Sequence, residues 1–173
     1  MKKMVVNLSS LTVKKLNDNV DLSQFKCKSQ DIQHFLTEYA MIFQNKSLGI
    51  SYIVYNNSKI VGFFTISMDS LRIKKIRSED QVGHANINYY PSIKIGQLCV
   101  DIDCENQRIG PFMLNVICGI GMEFSEKIGC RFLSVNTLPS AQTWYEKHGF
   151  TPLKDQKGRK KLSYYLDISK LEQ

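Results

Sequence analysis

Apolar residues recur along this chain with two different periods, and each period predicts a different kind of element. Short runs rich in β-branched and aromatic residues predict strands. These runs lie around residues 12–15 and at 49–55, 60–67, 94–101, 131–136 and 162–168. Two longer segments repeat their apolar residues every three or four positions, which predicts amphipathic helices.

Capping residues predict where the helices begin and end. Ser29 can accept a hydrogen bond from the first turn of the first helix. The second helix opens at 108–111, where Pro111 suits the first helical position, and runs to about Lys127. A short third helix, 141–150, ends at a glycine. The residues between 68 and 93 show neither period clearly, and we expect a basic segment followed by a polar loop there.

A hairpin of two strands comes first and later strands alternate with helices, which predicts a mixed α/β sheet. No internal repeat, low-complexity tract or linker interrupts the chain, so we expect a single domain over residues 1–173. No apolar run approaches the ~20 residues of a membrane span, and the N-terminal apolar stretch is too short for a signal peptide. These features predict a cytoplasmic protein with no membrane partner.

The five cysteines are odd in number, form no CxxC pair and show no zinc-ligand spacing with the three histidines. This pattern predicts reduced thiols and no metal site. Cys118 falls among the apolar residues of the second helix, as a core residue would. Cys104 lies just before that helix, close to the candidate anion site described below.

Basic residues give the chain a net charge of +7, and many of them fall in two clusters. The first cluster comprises Arg72, Lys74, Lys75 and Arg77, and the second comprises Lys154, Lys157, Arg159, Lys160 and Lys161. Clusters of this kind attract polyanions such as RNA or a phosphorylated cofactor. The alternative interpretation is an ordinary solvated basic surface.

The stretch from residue 94 to residue 150 carries the candidate chemistry. The strand at 94–101 leads into the N-terminus of the second helix. Such a terminus binds anions because its free N–H groups and the helix dipole act together. Tyr145, in the short third helix, brings a weak acid to the same end of the sheet. An anion site with a weak acid suits acyl transfer from a phosphate-bearing carrier.

Three segments of this stretch carry a family resemblance: Lys94–Asp101 (KIGQLCVD), Gly129–Val135 (GCRFLSV) and Trp144–Phe150 (WYEKHGF). Together they resemble the GNAT superfamily of acetyl-CoA-dependent N-acetyltransferases. Phe25 and Cys27 also match the subgroup that includes the acetyltransferase toxins of toxin–antitoxin pairs. The resemblance implies a GNAT-type fold, with a mostly antiparallel central sheet flanked by helices, and acetyl-CoA as the co-substrate.

The resemblance also implies a loop that binds the phosphates of acetyl-CoA. The family's loop aligns with Glu105, Asn106, Gln107, Arg108, Ile109 and Gly110, followed by Pro111. Only the last glycine of the family pattern is kept, and Arg108 brings a Cβ where the family has glycine, which restricts positive φ. Either the Arg108 side chain compensates by pairing with a cofactor phosphate, or the loop binds the coenzyme weakly.

By the same resemblance, the backbone of Leu98, Cys99 and Val100 holds the pantetheine arm and polarises the thioester carbonyl. Asn136 contacts the coenzyme, and Tyr145 is the general acid that protonates the departing thiolate. No general base stands out. The candidates that could take a proton from the attacking ammonium are Asp101, Asp103, Glu105 and His84.

The predicted function is acetyl transfer from acetyl-CoA to a primary amine, by direct attack in a ternary complex. The acceptor is either the α-amine of an aminoacyl-tRNA, as in the toxin subgroup, or a small metabolite or peptide amine. The subgroup usually carries arginine where this chain has Gln97. The toxin interpretation implies an antitoxin partner, and homodimers are common in this fold. The alternative function is a non-enzymatic acyl-CoA-binding or RNA-binding module on a degenerate acetyltransferase scaffold.

Overall fold

The computed structural model describes residues 6–83 and 86–171. The strands are β1 (Leu11–Lys15), β2 (Ile50–Asn56), β3 (Lys59–Arg72), β4 (Tyr89–Val100), β5 (Phe132–Thr137), β6 (Thr151–Pro152) and β7 (Leu162–Asp167). The α-helices are α1 (Gln30–His34), α2 (Ala40–Asn45), α3 (Ile109–Ile128) and α4 (Pro139–Lys147). A π-helical turn, Phe35–Tyr39, joins α1 to α2. Within this part of the chain, no helix combines the length and the apolar character that a membrane span requires.

The strands form a mixed sheet in the order β1-β2-β3-β4-β5-β7-β6. β2 pairs antiparallel with both β1 and β3, and β7 pairs antiparallel with both β5 and β6. The pairing of β4 with β5 is parallel. The prediction of a mixed α/β fold with a mostly antiparallel central sheet flanked by helices is therefore confirmed.

Helix boundaries follow the capping residues closely. The Ser29 side chain accepts a hydrogen bond from the Ile32 N–H at 3.4 Å, as predicted. Gly129 follows α3 with a φ of +80°, a conformation that glycine adopts without strain. α4 begins at Pro139, earlier than the predicted start at residue 141, because proline fits the first turn of a helix.

Two strands are longer than the sequence pattern predicts, and the irregular segment between them is correspondingly shorter. β3 continues to Arg72, and β4 already begins at Tyr89. The physical reason is tertiary packing, because Leu71 and Tyr90 are buried in one apolar cluster with Phe132. Burial of these side chains favours extended backbone in a segment whose local pattern does not.

The chain divides into two compact units, and β3, β4 and α3 contribute residues to both. The first unit comprises residues 1–67 and 96–116. Its core contains Phe25 and Phe63, whose rings meet edge to face with centroids 5.7 Å apart. Leu36 is fully buried in the same cluster, so the helical segment after Ser29 packs its apolar face there.

The second unit comprises residues 68–95 and 117–173. Its core is aromatic, and the ring of Phe132 meets that of Tyr165 edge to face at 5.3 Å. The buried Tyr165 hydroxyl donates to the Asp80 carboxylate at 2.6 Å, and Lys170 pairs with the same carboxylate. This buried acid is thus both hydrogen-bonded and ion-paired, as a charge taken out of water requires.

Candidate active site

In β4, a stretch of strand continues beyond the parallel ladder. The ladder with β5 ends at Ile95, opposite Val135, whereas β4 itself continues to Val100. The predicted pantetheine-binding residues Leu98, Cys99 and Val100 lie in this continuation. β4 remains next to β3 in the sheet, but past Ile95 its edge on the β5 side has left the parallel ladder. Such an edge offers N–H and C=O groups to an extended ligand. The stretch therefore has the form that the predicted contact with a pantetheine arm requires.

Asp101 directly follows β4 and has a structural role. Its side chain is 1% exposed, and its carboxylate accepts hydrogen bonds from the Lys26 N–H at 3.0 Å and the Asp103 N–H at 3.1 Å. The Lys59 ammonium lies 4.0 Å away. Because these partners occupy both carboxylate oxygens, Asp101 holds the turn after the strand and is a poor candidate for the general base.

The other three candidates for the base have different positions. Asp103 is exposed and Glu105 is half-buried, both in the loop between Asp101 and α3. His84 lies outside the described residues. None of the three described candidates, Asp101, Asp103 and Glu105, therefore stands out as the base.

The phosphate loop keeps a glycine-like backbone in spite of its side chains. Arg108 has a φ of +62°, and Asn106 has a φ of +64°. Positive φ costs a residue with a Cβ about 1–2 kcal/mol, and asparagine is among the residues that tolerate it best. The Cβ of Arg108 thus does not prevent the conformation for which the family uses glycine. The backbone of Arg108 is nevertheless strained in that conformation.

The strained loop leads directly into the N-terminus of α3. The helix begins at Ile109, so Pro111 is its third residue, whereas the sequence pattern predicted that it would be the first. The Arg108 carbonyl accepts the hydrogen bond of the Phe112 N–H at 3.1 Å, and proline has no N–H. Within the described residues, the free donors of this first turn are the N–H groups of Ile109 and Gly110. Two free donors at the positive end of a long helix suit an anion, and anion binding here stays a prediction.

One expectation for this region was wrong. Cys27 and Cys99 are joined by a disulfide across a sequence separation of 72, so the five cysteines are not all reduced. The pairing follows from tertiary contacts, which bring the segment before α1 against the end of β4. Cys104, Cys118 and Cys130 are free, and burial raises the pKa of each of their thiols. The free thiols are thus poor nucleophiles at neutral pH.

In the second unit, α4 carries the candidate acid. Tyr145 is only 7% exposed, and its ring meets those of Trp144 and Phe150 edge to face, with centroids 4.9 and 5.2 Å away. Burial raises the pKa of Tyr145 to about 12. The phenol therefore keeps its proton at any physiological pH.

The hydroxyl of Tyr145 differs from those of the other buried tyrosines. Tyr90 accepts from the Val82 N–H, while Tyr164 and Tyr165 donate to the carboxylates of Glu146 and Asp80, respectively. Within the described part of the chain, the Tyr145 hydroxyl makes no hydrogen bond. Among the described residues, the buried side-chain polar atoms without a hydrogen-bond partner are the Ser92 hydroxyl and the Arg131 Nε, so the Tyr145 hydroxyl reaches solvent although its ring is buried. The hydroxyl is therefore available to donate a hydrogen bond to a ligand.

Asn136 lies near the end of β5 in the second unit and is exposed. Its side-chain oxygen accepts a hydrogen bond from the Ser163 hydroxyl at 2.8 Å. Its amide N–H₂ group makes no hydrogen bond among the described residues and remains a donor for a ligand. The contact of Asn136 with the coenzyme therefore stays a prediction. Its side-chain N–H₂ group is the donor that could make this contact.

The two basic clusters, which the sequence separates by about eighty residues, meet in one groove of the second unit. This basic groove has a volume of about 270 Å³, and its walls include Arg72 and Lys75 from one cluster and Lys154 and Arg159 from the other. The Lys154 N–H donates to the Lys75 carbonyl at 2.9 Å, which holds the walls together. Asp155 pairs with Lys75 at 3.2 Å and neutralises part of the charge. The two clusters could be recognised in the sequence, whereas their convergence in one groove could not.

Known proteins match the chain in fold. No family model matches it, and no curated protein does so by sequence. The solved structure of AtaT complexed with acetyl-methionyl-tRNAfMet matches with a TM-score of 0.84 and 21% identity, over 94% of this chain and 97% of that one. A tyrosine-to-phenylalanine mutant of KacT matches with a TM-score of 0.85 and 20% identity, over 94% and 98%. The chain has the AtaT and KacT fold.

Further matching structures of AtaT contain acetyl-CoA or an antitoxin. AtaTR bound with acetyl-CoA matches with a TM-score of 0.79 and 22% identity, over 95% of this chain and 97% of that one. AtaT has also been solved as a mutant toxin bound to the C-terminus of the antitoxin AtaR and to acetyl-CoA. The resemblance to toxin acetyltransferases, first noted in three sequence segments, thus extends to the fold of nearly the whole chain. No group of three or more metal-ligating side chains lies together within residues 6–83 and 86–171.

Proposed function

We propose that this protein transfers an acetyl group from acetyl-CoA to the α-amine of an aminoacyl-tRNA. The observation that carries the proposal is the backbone of the phosphate loop. Positive φ at Asn106 and Arg108 leads straight into the free N–H groups of Ile109 and Gly110. A degenerate loop would have no reason to keep a strained conformation at an arginine.

In this proposal acetyl-CoA supplies an acetyl group that its thioester has activated. Its phosphates bind at the N-terminus of α3, where the Ile109 and Gly110 N–H groups donate to them. The exposed Arg108 guanidinium adds a charge-assisted contact. The backbone of Leu98, Cys99 and Val100 holds the pantetheine arm and orients the thioester carbonyl. Asn136 adds a contact to the coenzyme.

Tyr145 donates a hydrogen bond to the sulfur on which negative charge develops. Its pKa of about 12 is above that of an ordinary thiol, so complete proton transfer would be unfavourable in water. Exclusion of water raises the pKa of a thiol as well and thereby narrows this difference. Tyr145 thus acts first as a hydrogen-bond donor and completes the proton transfer as the thiolate departs. Because it does not ionise below about pH 10, the turnover number should show no alkaline decrease due to Tyr145 there.

The basic groove favours a polynucleotide acceptor over a small amine. Cations from two distant parts of the chain meet there, among them the exposed Arg72 and Arg159. Two exposed guanidinium groups beside two lysines suit phosphates along an RNA backbone better than a single small ligand. The likeness to AtaT, solved with acetyl-methionyl-tRNAfMet, supports the same substrate class. The likeness to AtaT bound to its antitoxin AtaR supports an antitoxin partner for this chain. Formation of a homodimer stays a prediction.

The test is transfer of labelled acetyl from acetyl-CoA to a panel of aminoacyl-tRNAs, with deacylated tRNA and amino acid amides in parallel. Tyr145→Phe should lower the turnover number about 100-fold or more, with acetyl-CoA affinity by calorimetry within about twofold. The matched control is Tyr164→Phe, which removes a buried hydroxyl that already has a protein partner and should retain turnover.

Each result has a distinct meaning. Equal losses in Tyr145→Phe and Tyr164→Phe would make Tyr145 a packing residue. Acetylation of the amino acid amides alone would refute aminoacyl-tRNA as the acceptor, but it would still support acetyltransferase activity. Binding of acetyl-CoA or RNA without any transfer would refute the enzyme and favour the non-enzymatic module.

A further inference from the structure

The disulfide lies where the proposed cofactor strand is anchored. Cys99 is 9% exposed and belongs to the apolar core of the first unit, in the middle of the stretch proposed to hold the pantetheine arm. Its partner Cys27 is half-buried and lies in the segment between β1 and α1, residues 16–29. We call this segment the anchor segment. The disulfide therefore fixes the anchor segment to β4 at the position that the proposed function uses.

Other contacts of the anchor segment reach the same place. The Lys26 N–H donates to the Asp101 carboxylate at 3.0 Å, and the Ile102 N–H donates to the Lys26 carbonyl at 2.9 Å. The Cys27 N–H donates to the Gln33 side chain at 2.7 Å. The anchor segment thus positions both the end of β4 and the start of the loop that leads to α3.

We propose that Cys27 and Cys99 form a reversible oxidative modification site that controls how firmly β4 and the phosphate loop are held for acetyl-CoA. This inference rests on the proposed function for its ligand. Disulfides in reducing compartments are usually transient and redox-sensing, and the sequence predicts a cytoplasmic protein. The location of the pair at the proposed cofactor strand suits such a role.

The chemistry uses a disulfide oxidant such as glutathione disulfide. The more accessible thiolate, Cys27, attacks one sulfur of the oxidant and releases one glutathione thiolate. The Cys99 thiolate then attacks the mixed disulfide at the Cys27 sulfur and releases the second. Two thiols lose two electrons and two protons, and glutathione disulfide becomes two glutathione molecules. A dithiol reductant reverses the reaction.

The test uses the full chain in its oxidised and reduced forms, separated by differential alkylation and mass spectrometry. Acetyl-CoA affinity is measured by calorimetry in both. Reduction should weaken binding by about threefold to tenfold, because only a fraction of the reduced molecules holds the strand in its binding conformation. It should also speed amide hydrogen exchange in residues 96–101, a readout that needs no coenzyme.

Variants separate this pair from the other thiols. Cys27→Ser should bind acetyl-CoA like reduced wild type under both conditions, whereas Cys118→Ser should retain the response to reductant. If Cys27→Ser fails to fold, reduction of the wild-type protein gives the same comparison.

Three results would overturn the inference. These are equal affinity and exchange in the two forms, absence of the disulfide in the air-oxidised protein, and a disulfide that millimolar glutathione cannot reduce, which would make it a permanent cross-link. Failure of both forms to bind acetyl-CoA would instead refute the proposed function. In that case alkylation and hydrogen exchange still decide whether the pair is reversible and anchors β4.

Discussion

Replacement of Arg108 by glycine, alanine and lysine in turn would separate the backbone strain of this residue from its charge. Arg108 has a φ of +62°, where a residue with a Cβ is strained by about 1–2 kcal/mol relative to glycine. Arg108→Gly removes both the strain and the guanidinium, whereas Arg108→Ala removes the guanidinium alone. Glycine also gains freedom in the unfolded chain, which offsets about 0.5–1 kcal/mol of the relief. Arg108→Gly should therefore be more stable than Arg108→Ala by about 0.5–1 kcal/mol.

The effect on binding comes from the charge. A hydrogen bond to a charged group contributes about 1.5–3 kcal/mol, and solvent screening at an exposed side chain reduces this to about 1 kcal/mol. Both Arg108→Gly and Arg108→Ala should therefore bind acetyl-CoA about fivefold more weakly than wild type. Arg108→Lys keeps the charge without the planar fork and should lie between.

Thermal unfolding and calorimetric titration at low salt check the two effects independently. For a chain of this length, the stability difference corresponds to a melting temperature about 1–4 °C higher for Arg108→Gly than for Arg108→Ala. Asn106→Gly is the matched control, since asparagine tolerates positive φ and should gain less. The strain argument is refuted if Arg108→Gly melts no higher than Arg108→Ala. Wild-type affinity in all three variants would refute the phosphate contact.

Two further predictions concern the second unit. The double variant Arg72→Ala and Arg159→Ala should weaken binding of deacylated tRNA about tenfold and reduce the salt slope by about two in fluorescence anisotropy, and an unchanged slope would contradict an RNA site in the basic groove. At Asp80, burial alone would raise the pKa, but hydrogen bonds from Lys170 and Tyr165 outweigh it and the pKa is lowered. The Asp80 carboxylate thus stabilises the fold above its unfolded pKa of about 4, and this contribution is lost as pH falls through the lower folded value. Asp80→Asn should flatten the decline of the free energy of unfolding below about pH 4 in urea titrations, and a decline parallel to wild type would refute this.

The sequence by itself predicted the elements whose signals are local. The apolar stripe after Ser29, the long helix ahead of Gly129 and the hairpin of β2 and β3 needed only side-chain period and capping chemistry, since both act within one or two turns of chain. The order of these elements sufficed for the mixed α/β class. The same local pattern also predicted a helix N-terminus directly after a strand, and the structure has α3 there.

Only the tertiary structure decided what depends on residues far apart in sequence. The Cys27–Cys99 disulfide and the basic groove join positions separated by about seventy to eighty residues, and no local period encodes such a pairing. The extension of β3 and β4 likewise came from burial of Leu71 and Tyr90 in a shared cluster. Composition could not reveal that Tyr145 alone among the buried tyrosines of the described chain lacks a hydrogen-bond partner. A side chain's partners are set by packing in three dimensions, and for that reason the chemistry of this site is decided by the fold.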